Sequence, residues 1–285
     1  MLTDYHLHLR QDDLNARAAD HFTEENASRY RAVADERGIA ELGVSEHVYR
    51  FEQALSVWQH PLWREFALDD LDAYCEFVRA RTDLRLGIEA DFVAGAEDRI
   101  ANLLERRDFD YVVGSVHFLR EHSIDMDDYS VWERGHSAEE IWERYFQTLA
   151  EAARSGLFDI LAHPDLVKVW GPDRPRPEGD LRRYYEPAIE AIAEAGIAVE
   201  VSTAGLRKRT RELYPAQAFL EMCAQAGAPV ALSSDAHIPG DVGADYDQAL
   251  ELLERAGIGE LCVFEHRARR LEPIGARAVA RERAR

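Results

Sequence analysis

Cysteine is scarce in this chain. Cys75, Cys223 and Cys262 are the three among 285 residues, and they form no C-x-x-C pair. Each sits among apolar residues, which excludes a disulfide framework and predicts buried free thiols in a reducing, cytoplasmic setting. Also missing is any uncharged apolar run long enough to cross a bilayer, and no basic-then-apolar leader opens the chain, so neither a membrane span nor a secretion signal is expected. Positive charge is in deficit: 34 Lys and Arg face 54 Asp and Glu, a formal net charge of -20. Such an acidic surface repels phosphate backbones and argues against a large nucleic-acid interface. A small anionic substrate stays open, because bound cations reverse the local sign of the field.

What the chain does contain is alternation. With 46% hydrophobic and 31% charged residues it reads as a globular protein. Short apolar runs predict strands at 2–5, 39–44, 84–88, 111–116, 158–162, 197–202 and 229–233, and a short last one at 261–264. Between them lie helical patterns: one opened by Thr23 and closed by Gly38, then 69–81, 96–107, 138–154, 180–195, 215–226 and 243–256. The stretch 50–68, with Phe51, Trp58, Trp63 and Phe66, reads as an aromatic insertion or lid, and 118–136 as a second polar, aromatic loop. The Arg-rich tail from about 267 is expected to be peripheral, frayed or packed on the outside.

Alternating βα units imply a parallel sheet with right-handed crossovers. No linker-like break or internal repeat interrupts them, so residues 1–285 are expected to form one domain. About seven or eight units suggest a closed or nearly closed barrel. A doubly wound open sheet is the alternative, but it gathers strand ends mainly at its switch point.

The strand ends carry the chemistry. In order they read His6, His8, Asp13, His47, Glu89, His117, His163, Asp235 and His237. Side chains at i and i+2 on a strand share a face, so His6 and His8 can share an ion. Taken singly, each residue has a plain structural reading as a capping acid or a hydrogen-bonded loop histidine. Together they are nine N/O ligands without a thiolate, which favours zinc, manganese or iron. Nine exceed the needs of one ion, so two or three are expected, and Glu89 could bridge two. Paired ions activate a water and stabilise both the attacking and the leaving oxygens of a phosphoryl transfer.

His6-Leu7-His8 with Asp13, Ser45-Glu46-His47, Gly87-Ile88-Glu89, Gly114-Ser115-Val116-His117, Ala162-His163-Pro164-Asp165 and Ser234-Asp235-Ala236-His237 resemble the motifs of the PHP (polymerase and histidinol phosphatase) superfamily. Asp4-Tyr5-His6-Leu7-His8, His163-Pro164-Asp165-Leu166 and the run Glu200 to Lys208, followed by Tyr214-Pro215, are most similar to its stand-alone histidinol-phosphate phosphatases. The resemblance implies a distorted (β/α)7 barrel of parallel strands with a trinuclear site at their C-terminal ends. His6, His8, Glu89 and Asp235 would hold one ion. Glu89, His117 and His163 would hold a second, and Asp13, His47 and His237 a third.

The reaction so implied is hydrolysis of L-histidinol phosphate to L-histidinol and phosphate, a step of histidine biosynthesis, by a metal-bridging hydroxide attacking in line. Glu89, Asp235 and His237 would act as catalytic ligands. Asp165 could orient His163, protonate the leaving group or simply form a turn. Arg207, Lys208 and Lys168 are candidates to grip phosphate, with solvated surface charge as the plain reading of each. Glu46, Asp91 and Asp125 could meet the cationic groups of histidinol. Two other readings compete. One is a phosphoesterase of the same fold acting on nucleotides, oligonucleotides or phosphotyrosine. The other is a non-catalytic metal-stabilised module, which would show lost ligands and a fused partner domain, whereas all nine positions here carry ligand-type side chains and no second domain is expected.

Overall fold

The computed structural model describes residues 1–11 and 13–275. Seven strands follow one another: β1 (Leu2–Asp4), β2 (Ile39–His47), β3 (Arg85–Asp91), β4 (Tyr111–Ser115), β5 (Ile160–Leu161), β6 (Ala198–Ser202) and β7 (Val230–Ser233). Each leads to a helix: α1 (Glu24–Glu36), α2 (Leu71–Arg81), α3 (Glu97–Leu104), α4 (Ala138–Arg154), α5 (Arg182–Ala195), α6 (Gln217–Gln225) and α7 (Tyr246–Arg255). The starts are set by local chemistry. Thr23 accepts the Asn26 N–H to cap α1, and Asp70 caps α2. Ser137 and Glu140 form a reciprocal capping box at α4.

All seven strands pair in parallel, in chain order. Just beyond β1 and β7 the ring is joined by a parallel bridge between Leu7 and Ala236, where the His8 N–H donates to the Ala236 carbonyl at 2.8 Å. The result is the nearly closed barrel that the alternation predicted, with the seven units that the resemblance implied.

Period-2 alternation sorts the strand residues into two cores. Val112, Leu161, Val199, Val201 and Leu232 face outward and join the apolar faces of the helices. Tyr111, Val113, Ile160, Ala198 and Ala231 face inward and fill the barrel with Tyr5. Gly43 and Gly87, on adjacent strands, leave room for the Tyr111 ring; a Cβ at either would overlap it. A hairpin, β8 (Glu260–Glu265) with β9 (Ala268–Pro273), supplies Cys262 and Phe264 to the inner cluster. The Phe264 N–H donates to the Tyr5 hydroxyl at 3.2 Å.

That hairpin revises one expectation. Residues 268–273 of the tail are a paired strand, although most of its side chains are exposed; the tail beyond 275 lies outside the described residues. The 50–68 stretch is also more ordered than a lid. It holds a 3-10 turn (Glu52–Ser56) and a helix (Pro61–Phe66), and Phe51 and Trp63 are fully buried. Trp58 meets Phe118 edge-on, and His60 meets Tyr129, so this segment packs on the 118–136 loop.

Candidate metal centre

Eight of the nine expected ligands meet at the C-terminal mouth of the barrel. They come from six strands: His6 and His8 after β1, His47 and Glu89 within β2 and β3, His117 and His163 after β4 and β5, and Asp235 and His237 after β7. Register places His47 directly beside Glu89. Glu89 is the hub. Its Oε1 lies 3.4 Å from His117 Nε2 and 3.3 Å from His163 Nε2. Its Oε2 lies 3.3 Å from His6 Nε2 and 3.6 Å from His8 Nε2, and it also contacts His47 Nδ1. Asp235 Oδ1 is 3.3 Å from His8 Nε2 and 3.7 Å from both His6 Nε2 and His237 Nδ1.

These atoms fit shared cations. His6 Nε2, His8 Nε2, His47 Nδ1, both Glu89 oxygens and Asp235 Oδ1 are buried without a hydrogen-bond partner. Buried polar atoms are rarely left so, because each costs about 1–3 kcal/mol. Three overlapping sets lie close enough to ligate an ion: His6, His8 and Asp235; His6, Glu89 and His163; and His8, His47 and His237. The two oxygens of Glu89 face different histidines.

The electrostatics agree. Burial alone would raise the Glu89 carboxyl, but His47, His6 and His117 hold it well below the usual range. Burial, with His47 and His237 alongside, pushes His8 well below the usual imidazole value, so it is neutral, the form that ligates. Burial opposes charge on His6 and His117 too, yet acids win: Glu200, Glu89 and Asp235 raise His6 well above its usual value, and Asp91 with Glu89 raises His117 to about 10. Those same acids orient the rings. His6 Nδ1 bonds Glu200 Oε1 at 2.8 Å and His117 Nδ1 bonds Asp91 Oδ1 at 2.7 Å, leaving each Nε2 aimed at the centre. A cation there takes the place of the Nε2 proton.

Comparison with known proteins adds the family. Residues 20–204 match the PHP domain. The chain belongs to the PHP domain family. A "Probable histidinol-phosphatase" of Deinococcus radiodurans is 34% identical over 245 residues, covering 84% of this chain and 90% of that one. A "Histidinol-phosphatase" of Bacillus subtilis is 30% identical over 188 residues, 61% of this chain and 70% of its own length. The fold is shared with histidinol phosphate phosphatase of Lactococcus lactis, solved with zinc, L-histidinol and phosphate: TM-score 0.69, 18% identity, 94% of this chain and 98% of that chain.

Several candidates in this PHP domain stand elsewhere than expected. Asp13 is exposed and lies in none of the three sets; its carboxylate accepts the Asn15 N–H at 2.7 Å and Asn15 Nδ2 at 3.1 Å, closing its own turn. His8 stands where Asp13 was expected, beside His47 and His237. Lys168 is buried, with its ammonium 2.7 Å from both Asp165 Oδ2 and the Leu213 carbonyl. Asp165 Oδ2 is taken up by that pair and by the Ala216 N–H, whereas its Oδ1 and His163 Nδ1 are each buried without a hydrogen-bond partner. The His163 N–H donates to Glu200 Oε2 at 2.5 Å. Arg207 donates to the carbonyls of Ser234 and Asp235 and pairs with Asp241 at 3.3 Å. Glu46 and Asp91 are also buried and engaged, the first by Leu9 N–H, Arg10 N–H and Arg50, the second by His117.

Lys208 and Asp125 remain beside the ligands. They line a cavity of about 110 Å³ whose other walls are His47, His117, His163, Asp235 and His237 on one side and apolar or aromatic residues such as Tyr49, Phe118, Leu166 and Tyr214. Glu200 and Asp4 were missed as supports. Asp4 accepts the Ser234 N–H at 3.0 Å, its hydroxyl at 2.5 Å and the Gly243 N–H at 3.2 Å, which fixes the turn into Asp235. Asp235 itself is left-handed, at φ 49. The available signal for Glu200 was a lone charge in an otherwise apolar strand; Asp4 had none.

Proposed function

We propose that this chain hydrolyses L-histidinol phosphate to L-histidinol and inorganic phosphate at a centre of two or three divalent ions. The observation that carries the reading is the set of orphaned, buried ligand atoms around Glu89, opening on a small cavity that also holds a lysine and an aspartate. The relatives named above point to the same ester.

Bound zinc, manganese or iron would supply the deprotonated water and neutralise the phosphate oxygens. The chain's own part is to hold and aim. Glu89 presents an oxygen to each of two ligand groups, while His6 and His117 are kept in the ligating tautomer by Glu200 and Asp91. Lys208 is the basic side chain at the cavity and meets the phosphate. Water attacks phosphorus, the P–O bond to histidinol breaks, and the leaving oxygen takes a proton. Asp165, whose Oδ2 is held by Lys168 and the Ala216 N–H, positions the 213–216 segment rather than delivering that proton.

A phosphate-release panel on metal-reconstituted protein tests this: histidinol phosphate, nucleoside monophosphates, a phosphotyrosine peptide and short DNA. Histidinol phosphate should be clearly preferred; equal or better turnover of another ester overturns the substrate. Metal counting by mass spectrometry should find at least two ions per chain.

A further inference from the structure

Of the three acids expected to meet a cationic group, Glu46 and Asp91 are engaged elsewhere and Asp125 is left. It is half-buried and lines the cavity beside His117, His163 and Lys208. Its carboxylate accepts the Ser123 hydroxyl, and among the described residues no basic side chain forms an ion pair with it. The other carboxylate lining the cavity, Asp235, faces three histidines.

Its position is built. Ser123, fully buried, donates its hydroxyl to Asp125 Oδ1 at 3.0 Å and accepts the N–H groups of Asp125 and Met126 at 3.3 and 3.1 Å. The residue between, Ile124, is pinned at both ends. Its N–H donates to the His117 carbonyl at 2.8 Å. Its own carbonyl accepts two indole N–H groups, from Trp132 at 3.1 Å and from Trp170 at 2.7 Å. Trp170 belongs to the loop after β5, so elements from two sides of the mouth converge to fix one backbone unit. A carboxylate held this firmly, in no ion pair among the described residues and next to a reacting centre, is prepared for a cation that arrives with the substrate.

We propose that Asp125 is the specificity-determining residue for a positively charged leaving group: it binds the ammonium of an amino-alcohol phosphate while Lys208 faces the phosphate. Trp132 and Trp170 act as positioning residues for it through Ile124. The assignment rests on the phosphatase reading above and narrows it to esters that carry an amine near the phosphorylated oxygen.

The test compares two substrates on the metal-loaded full chain: L-histidinol phosphate and its deamino analogue, 3-(imidazol-4-yl)propyl phosphate. The wild-type protein should favour the amine-bearing ester in kcat/KM by about 10- to 100-fold, the range for a hydrogen bond to a charged partner. In Asp125→Asn most of that ratio should vanish, with metal content at the wild-type level as the check that the centre is intact. Trp170→Phe should lower the same ratio more modestly. Equal wild-type efficiency on the two esters overturns the subsite whatever the variants do, and leaves the phosphatase reading standing. A ratio unchanged within about twofold in Asp125→Asn overturns the assignment to this residue. Release from neither ester overturns the reading of the reaction, and the subsite with it.

Discussion

Replacing Glu200 by glutamine keeps the size of the side chain but turns one of its two acceptor atoms into a donor. Three donors converge on this carboxylate: His6 Nδ1 at 2.8 Å, the Ser233 hydroxyl at 2.5 Å and the His163 N–H at 2.5 Å. An amide can satisfy only some of them. If its NH2 turns toward His163, two N–H groups oppose each other in a site that is 1% exposed, at a cost of about 1–3 kcal/mol. If it turns toward His6, the imidazole must accept at Nδ1 and carry its proton on Nε2, the atom aimed at Glu89 and Asp235. That tautomer cannot ligate. Both outcomes lower metal affinity by about 10- to 100-fold, the usual effect of losing an outer carboxylate partner. Zinc titration against a chromophoric chelator at neutral pH measures it directly, with Ser233→Ala as a milder control that removes one donor and leaves the charge. Zinc affinity within about twofold of wild type in Glu200→Gln would refute the reasoning.

Two further outcomes are expected. Glu89→Gln should lose metal and turnover together, each by more than about tenfold; near-normal phosphate release in that variant contradicts a bridging role. Gly87→Ala should destabilise the barrel by about 1–3 kcal/mol, because the new methyl overlaps the Tyr111 ring and the packed interior cannot yield. Urea unfolding reads this, and an unchanged midpoint would mean that the ring moves aside freely.

Most of the barrel, and the gathering of eight of the nine candidate side chains, could be read from the sequence because the signal is periodic. An apolar run followed by histidine or acid marks a strand end whether or not its partners are known, and a ring of such strands brings those ends together. The remainder depended on contacts that leave no periodic trace. Asp13 lies along the loop beyond β1, and its carboxylate accepts from Asn15 within its own turn. Lys168 and Arg207 looked like phosphate grips because charge is visible in a sequence and its partners are not. Their partners are Asp165, 3 residues from Lys168, and the Ser234 and Asp235 carbonyls, 27 and 28 residues from Arg207. The β8–β9 hairpin was hidden for another reason. Its turn places His266 and Arg267 at φ 48 and 62, a conformation usually announced by Asn-Gly. Here Asp110 supports it instead, accepting the N–H of His266 at 3.2 Å on its carboxylate and that of Arg267 at 2.9 Å on its carbonyl.

The junction of β1 and β7 would give a bound ion a mechanical part as well as a chemical one. These two strands end the paired series, and the ring closes between them through the Leu7–Ala236 bridge and the bonds that Ser234 donates to Asp4. His6 and His8 stand on one bank of that seam and Asp235 on the other. An ion gripped by all three staples the first strand to the last, so the rim should open and close there with metal occupancy. Stripping the metal would then loosen the barrel along one line rather than evenly, and amide hydrogen exchange would be fastest to rise at residues 4–8 and 232–236.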